Sequence, residues 1–344
     1  MEAARCYRCD AENGSSDYNV DNREQIFAMA RIMPGQNQKR QTLLAKRLDN
    51  REDPFPEGRP ATLDDLHFLP ANLSRLVIDP YRESCDTTTP LGPDITLMTP
   101  LLATGFDSAP EAVREAVGAA LSQLGLAYLG AAPLPGEAPW ITKNLSNIHG
   151  ASGVVVPPNA DGTLPTPQGW AGVVLKADQV KTSLTRAMKA GYSWVLADTS
   201  QGVRELWPEV SGQFDLRVIP RVVEVLRALR KEEQTPVLYF GGLRSGTDVA
   251  KAVALGATAG VLGVGLALAV GAQFTESGPL AFPGDLTPEE MNTQALNFLN
   301  ATASEVSMMP RCTGKTRVRS LEPEDLRAVT LATARATGIP LAGA

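Results

Sequence analysis

Histidine and cysteine are scarce, at two and four residues in a chain of 344, and aromatic residues make up only 6%. The four cysteines, Cys6, Cys9, Cys85 and Cys312, are too few and too scattered for a secreted disulfide framework, so reduced thiols are expected. Cys6 and Cys9 have the spacing to bite a soft metal or an iron–sulfur cluster, yet the second half that gives such motifs specificity is missing, and free thiols are the preferred reading. No apolar run reaches the ~18 residues of a membrane span. The first residues, Met-Glu-Ala-Ala-Arg-Cys, carry no hydrophobic secretion segment, and a cytoplasmic location is the expectation. Basic blocks are also lacking. The 32 Lys and Arg are interspersed with 38 Asp and Glu, for a formal net charge of -6, which leaves no electrostatic footprint for nucleic acid or an anionic membrane surface. Small-molecule chemistry remains.

What the chain does have is 43% hydrophobic residues and enough length for one large core plus extensions. Residues 1–62 are polar, mixed in charge and Pro-rich near their end, and read as an N-terminal arm. Residues 63–343 read as one domain. Leu63–Asp79 suggests a short helix and extended pieces that lead into it. From Leu97 onward, apolar runs of strand length alternate with helical stripes, as in parallel β/α units whose strands are buried on both faces. The strand candidates are 97–103, 126–131, 153–156, 172–176, 194–198, 236–240 and 259–266, about seven where eight close a barrel. Ser108-Ala-Pro-Glu111 looks like a capping box for a helix through Leu124, and Thr287-Pro-Glu-Glu290 like one for a long helix. A stripe of Val180, Leu184 and Met188 ends at Gly191, Val218–Leu229 and Thr247–Leu255 give further helices, and a last helix is expected from about Pro323. The fold class is therefore α/β, a (β/α)8 TIM-type barrel, shortened where no helix separates 153–156 from 172–176, with C-terminal helices.

The strongest local signal is Tyr239-Phe-Gly-Gly-Leu-Arg-Ser-Gly-Thr-Asp248, a glycine-rich turn between a buried strand and a helix. Gly241, Gly242 and Gly246 let the backbone approach an anion, and the N–H groups of the turn and helix start point at it. One strand later Gly263, Val264 and Gly265 form a second small-residue turn at the same rim, so two backbone nests with Arg244 between them can converge on one phosphate. His149 lies in a loop, Asn147-Ile-His-Gly150, where a general acid or a substrate contact is conceivable. His67, among apolar residues, reads as a packing histidine.

Gly241–Ala257 resembles the phosphate loop and helix shared by flavin mononucleotide barrels, including hydroxy-acid oxidases and glutamate synthases. Leu63–Leu76, Asp86–Gly92 and Thr99–Gly105 resemble the start of the flavin domain of glutamate synthase-like proteins, and Arg311–Lys315 through Gly338–Gly343 is similar to the end of some short members. The resemblance implies FMN, with its phosphate on Gly242, Ser245, Gly246, Gly263 and Gly265, its ring against Ala103, Thr104 and Gly105, and hydride passed to a 2-imino acid. Reduction places negative charge at the flavin N1 edge, and a cation there stabilises it. Lys176, closing Val173-Val-Leu-Lys176 where family members carry a lysine, is the candidate. The resemblance further implies a 2-oxo or amino acid as the small-molecule partner, electrons from a donor such as ferredoxin or a reductase subunit, ammonia from a separate amidotransferase subunit, and an oligomer.

Departures from the family stand beside this. Gly130-Ala-Ala-Pro-Leu-Pro-Gly136 and Asp198-Thr-Ser-Gln-Gly202 replace the glycine-rich stretches that glutamate synthases carry around flavin and substrate. The family's three-iron cluster needs closely spaced cysteines after the barrel, where only Cys312 is found. Two other readings stay open: a degenerate barrel acting as a binding or scaffolding subunit, and a hydroxy-acid oxidase, which needs a base and an arginine that Asp198–Gly202 does not supply.

Overall fold

The computed structural model describes residues 26, 30, 31, 60–71, 82–200, 214–275 and 280–343. Cys6 and Cys9 lie outside these residues. A lead-in of one 3-10 turn, Leu63–Asp65, is followed by strand β1 (Leu66–Phe68) and a hairpin of β2 (Thr89–Gly92) and β3 (Ile95–Leu97). Eight parallel strands then close a barrel in chain order: β4 (Leu101–Thr104), β5 (Ala127–Gly130), β6 (Trp140–Thr142), β7 (Gly153–Val156), β8 (Ala171–Leu175), β9 (Trp194–Asp198), β10 (Val237–Phe240) and β11 (Ala259–Leu262). The ring is sealed by β11 against β4, where Gly260 pairs with Leu101 and Leu262 with Ala103. The expected seven strands are one short, because Trp140–Thr142 is a strand of three residues.

Helices follow five of the strands: α1 (Glu111–Gln123), α2 (Val180–Ala190), α3 (Val218–Ala228), α4 (Gly246–Ala254) and the short α5 (Val264–Ala269). The connections 131–139, 143–152 and 157–170 contain no helix. Prolines, asparagines and glycines explain this: Ala-Ala-Pro-Leu-Pro-Gly-Glu-Ala-Pro139 and Pro157-Pro-Asn-Ala-Asp-Gly-Thr-Leu-Pro165 remove N–H donors and favour turns. The shortening expected from the sequence is thus a loss of outer helices and not of strands.

The rest of the chain wraps one side. Small strands β12 (Gln273–Phe274) and β13 (Leu280–Ala281) precede α6 (Pro288–Cys312), whose start is the capping box read from the sequence, with Glu290 N–H donating to Thr287 and Thr287 N–H to the Glu290 carboxylate. α6 packs on α1 and α4. Strand β14 (Leu326–Ala328) pairs antiparallel with β1, and α7 (Leu331–Thr337) ends at Gly338. Three expectations are corrected here. Ser108 does not cap α1, which begins after Pro110 without a side-chain cap. The run 259–266 is a strand that turns into α5 at Gly263. The segment from Pro323 makes one 3-10 turn and then β14, because β1 captures it as a strand partner.

Side chains divide into two layers. Leu102, Leu129, Ile141, Val155, Val174, Leu196, Leu238 and Val261, one from each barrel strand, fill the interior together with Leu91, Ile95 and Leu97 of the hairpin. The alternate residues pack outward against the helices, in a cluster that also includes the helical residues Ile26 and Ala30. The amino-terminal mouth is plugged by Trp170 and Trp194, stacked at 5.0 Å between ring centroids. Gly92, Gly153 and Gly172 lie under these rings, and a Cβ at Gly172 would overlap the Trp194 indole. Gly172→Ala is therefore expected to cost roughly 1–3 kcal/mol by overpacking, read as a lower denaturant midpoint; an unchanged midpoint would show that the ring can move aside. The opposite, carboxyl-terminal mouth is where barrel loops meet ligands.

Candidate functional site

Two glycine turns meet at that mouth. β10, buried throughout, runs into Gly241 and Gly242, whose φ values of 124° and 70° suit glycine. A Cβ at Gly241 would overlap the Thr199 hydroxyl, and the Thr199 N–H and hydroxyl both donate to the Phe240 carbonyl, at 3.0 and 2.8 Å. After β11, Gly263 leads into α5. A Cβ at Gly265 would stand 2.9 Å from the Leu243 carbonyl oxygen and 3.7 Å from the Arg244 Cα, so the two turns are in contact. At the start of a helix the first N–H groups have no intrahelical acceptor, and they face outward along the axis. Gly241, Gly242, Gly263, Val264 and Gly265 are thereby brought together.

Arg244 and Gly246 have other partners. The Arg244 side chain, 4% exposed, gives Nη1 and Nη2 to Asp64 at 2.9 and 2.7 Å, and Nε and Nη2 to Asp248 at 3.0 and 3.2 Å. Its own N–H also donates to Asp248, at 3.0 Å. A guanidinium engaged on both edges by carboxylates serves the turn from behind. Gly246 sits against α6, where a Cβ would overlap the Thr302 carbonyl, and the neighbouring Thr247 N–H donates to Glu305 at 2.9 Å. A carboxylate of the chain thus already sits at the start of α4, a position that favours negative charge. Arg244 and Gly246 are thus packed against Asp64, Asp248 and α6, and their contact with phosphate remains an expectation, while the buried Ser245 holds an extended backbone as the first residue outside α4.

The pairing of Leu262 with Ala103 sets Ala103, Thr104 and Gly105 beside the second glycine turn. Thr104 is buried and donates to the Leu129 carbonyl at 2.7 Å, and Gly105 has φ 94°. Lys176 is the half-buried residue after β8; alternation with Gly172 and Val174 turns it toward the axis, and the Leu175–Ala197 pair puts it next to Asp198. Asp198 closes β9, is 1% exposed, and accepts from the Ser200 N–H and hydroxyl at 2.9 and 2.8 Å. Its signal, a carboxylate ending an apolar strand run, was present in the sequence but was not singled out.

His149 is elsewhere. It is exposed in the helix-free connection 143–152, lining an open cleft of about 400 Å³ with Pro139, Trp140 and Ser152, which lie at the starts of β6 and β7. The structure does not bring it together with Lys176, because the connection has descended most of the barrel height by residue 149. A second rim cluster was missed in the sequence. Asp107 accepts from Lys143 at 2.8 Å, from the Tyr128 hydroxyl at 3.0 Å and from the Ala131 N–H at 2.8 Å, while the Phe106 N–H donates to the Tyr128 hydroxyl. Burial, then the Asp107 charge, pushes the Tyr128 phenol far above its usual range, so it stays a donor. Lys143 closes the very strand that sequence periodicity passed over.

Cys85 and Cys312 are half-buried thiols, and burial pushes both up from the ordinary thiol value, with the Arg311 charge acting against it. Among the described residues no group of three or more His, Cys, Asp or Glu side chains is arranged for a metal. No helix among them is long and apolar enough to cross a membrane.

With this geometry in place, comparison with known proteins gives the class first. Residues 173–279 match the sequence model of the FMN-dependent dehydrogenase family. The flavin-binding domain of baker's yeast flavocytochrome b2 shares the fold at a TM-score of 0.57 and 15% identity, over 94% of each chain. A flavocytochrome b2 with pyruvate bound aligns at 0.55 and 17% identity over 81% of this chain and 80% of that one. (S)-Mandelate dehydrogenase aligns at 0.53 and 16%, over 77% and 89%. The barrel has the fold of these neighbours, and the matched family model points to FMN as the cofactor. More particularly, a glutamate synthase large subunit-like protein of Rhizobium meliloti (strain 1021) is 30% identical over 189 residues, 46% of this chain and 43% of the relative. The resemblance to an FMN-binding domain of glutamate synthase type is supported by that relative, of whose length the match spans less than half. The residues present fit the cofactor: glycine at 241 and 265 lets the backbone pack tightly against Thr199 and Leu243, which brings the two turns together at the mouth where barrel loops meet phosphate.

Proposed function

We propose that the chain is an FMN-dependent oxidoreductase of glutamate synthase type that reduces a 2-imino acid with electrons from an external donor. The observation that carries this reading is the contact between the two glycine turns, which are so close that a Cβ added at Gly265 would stand 2.9 Å from the Leu243 carbonyl oxygen. Gly241, Gly242, Gly263, Val264 and Gly265 would hold the phosphate through backbone amides. Ala103, Thr104 and Gly105 would form the floor beneath the ring, with Thr104 kept still by its bond to Leu129. Bound FMN supplies the hydride that the chain itself lacks. Lys176 would offset negative charge developing beside it, in a mouth where water is partly excluded and a fixed charge acts strongly. Asp198, next to Lys176, would hold that ammonium in place and receive or return a proton at its carboxylate. Ferredoxin or a reductase subunit would bring the electrons, and an amidotransferase partner the ammonia, in the cytoplasm.

A second reading, a barrel kept as a binding or scaffolding subunit, is favoured by the three helix-free connections. An absorbance spectrum of the purified protein separates the two. Visible flavin absorbance bands with release of FMN on denaturation are expected; a colourless chain that takes up no added FMN would leave the scaffold reading. Bleaching under argon by a hydroxy acid, with no reoxidation by 2-oxoglutarate and ammonia, would turn the assignment toward a hydroxy-acid oxidase.

A further inference from the structure

We propose that Asp64 is a positioning residue for the phosphate turn, acting through Arg244; this rests on the FMN reading above. Asp64 precedes Arg244 by 180 residues, yet its carboxylate takes both terminal nitrogens of that guanidinium. Asp248 holds the other edge and the Arg244 N–H as well. Backbone and side chain of Arg244 are therefore fixed together, and a Cβ added at Gly265 would stand 3.7 Å from the Arg244 Cα. A shift at Arg244 moves the first glycine turn relative to the second.

The segment that carries Asp64 is itself fastened at several points. The Lys251 ammonium, near the other end of α4, donates to the Leu63 carbonyl at 2.8 Å. The buried Asp65 carboxylate accepts from Thr333 at 3.1 Å, and β1 is paired to β14. The lead-in thus lies along α4 as a brace, secured at Arg244 and at Lys251 and anchored to the carboxyl-terminal segment. Backbone amides that bind an anion must be placed within about 0.5 Å to bind well, and groups behind them supply that placement. Two carboxylates on one guanidinium also more than offset its charge, so the phosphate would be met by amides rather than by this arginine.

Binding of FMN and of riboflavin to the flavin-free full-length chain, followed by quenching of flavin fluorescence, tests this. The two ligands share the ring and ribityl chain and differ only in phosphate. Asp64→Asn is expected to weaken FMN roughly tenfold, as one ordered two-point ionic contact is lost, while riboflavin stays within about twofold. Asp64→Glu, which keeps the charge, should recover most of the preference for FMN, and it serves alone if the asparagine variant does not fold. Equal weakening of both ligands, or unchanged preference in Asp64→Asn, overturns the positioning role while leaving the flavin reading intact. A wild-type chain without preference for FMN over riboflavin overturns the flavin reading, and the positioning role with it.

Discussion

Lys176→Met is expected to lower the two-electron reduction potential of bound FMN by roughly 60–90 mV and to cut turnover by about 10²–10³. The figures come from removing one fixed charge at a developing anion, worth about 2.7–4 kcal/mol, with 30 mV equivalent to about 1.4 kcal/mol for a two-electron couple. Lys176 leaves β8 on the axial side, beside the buried Asp198. Methionine keeps the length and the packing of the stem, so FMN should still bind. Potentiometric titration of the wild type and the variant decides the matter. An unchanged potential would remove Lys176 from the flavin's surroundings and return it to an ordinary rim residue.

Asp107→Ala should lower stability by roughly 3 kcal/mol, the low end of the cost of breaking a buried pair from one side, because this pair is only partly buried. The side chains of Lys143 and Asp107 are 10% and 24% exposed, so solvent screens the pair only in part. Loss of the carboxylate would take an acceptor from Lys143, from the Tyr128 hydroxyl and from the Ala131 N–H together. These groups come from the rims of β4, β5 and β6, where the connections 131–139 and 143–152 supply no helix to clamp the strands. Chemical denaturation monitored by tryptophan fluorescence should show the midpoint fall; a shift below about 1 kcal/mol, the median for a surface pair, would mean that the cluster is ornamental.

What could be read in the sequence was what local physics determines. α2, α3 and the Thr287 capping box depend on stripes and caps within a dozen residues, and they stand where they were expected. β6 was invisible because three residues after a proline carry no period; its strand character comes from pairing with β5 and β7. The start of α5, Val264–Leu266, reads as strand because Val264–Ala269 is apolar on every side, and such a helix has no stripe to betray it. The site divides in the same way. Gly241 and Gly242 announce a tight turn through their own backbone freedom. The Asp64 partner of Arg244 could not be foreseen, since it lies 180 residues away and reaches the arginine only once the barrel has formed.

That order of events has a consequence for the cofactor. β5 through β8 follow one another through brief connections and join neighbours in sequence, so this arc can zip up early. The seal of β11 onto β4 brings Gly260 to Leu101, the most distant pairing in the ring, and the loop entropy of that join must be met last. The glycine turns and the Ala103–Gly105 edge lie astride this seam. A flavin seated there would reward only the sealed ring, as a keystone does an arch, and would stabilise that join by RT ln(1 + L/Kd), where L is the free FMN concentration.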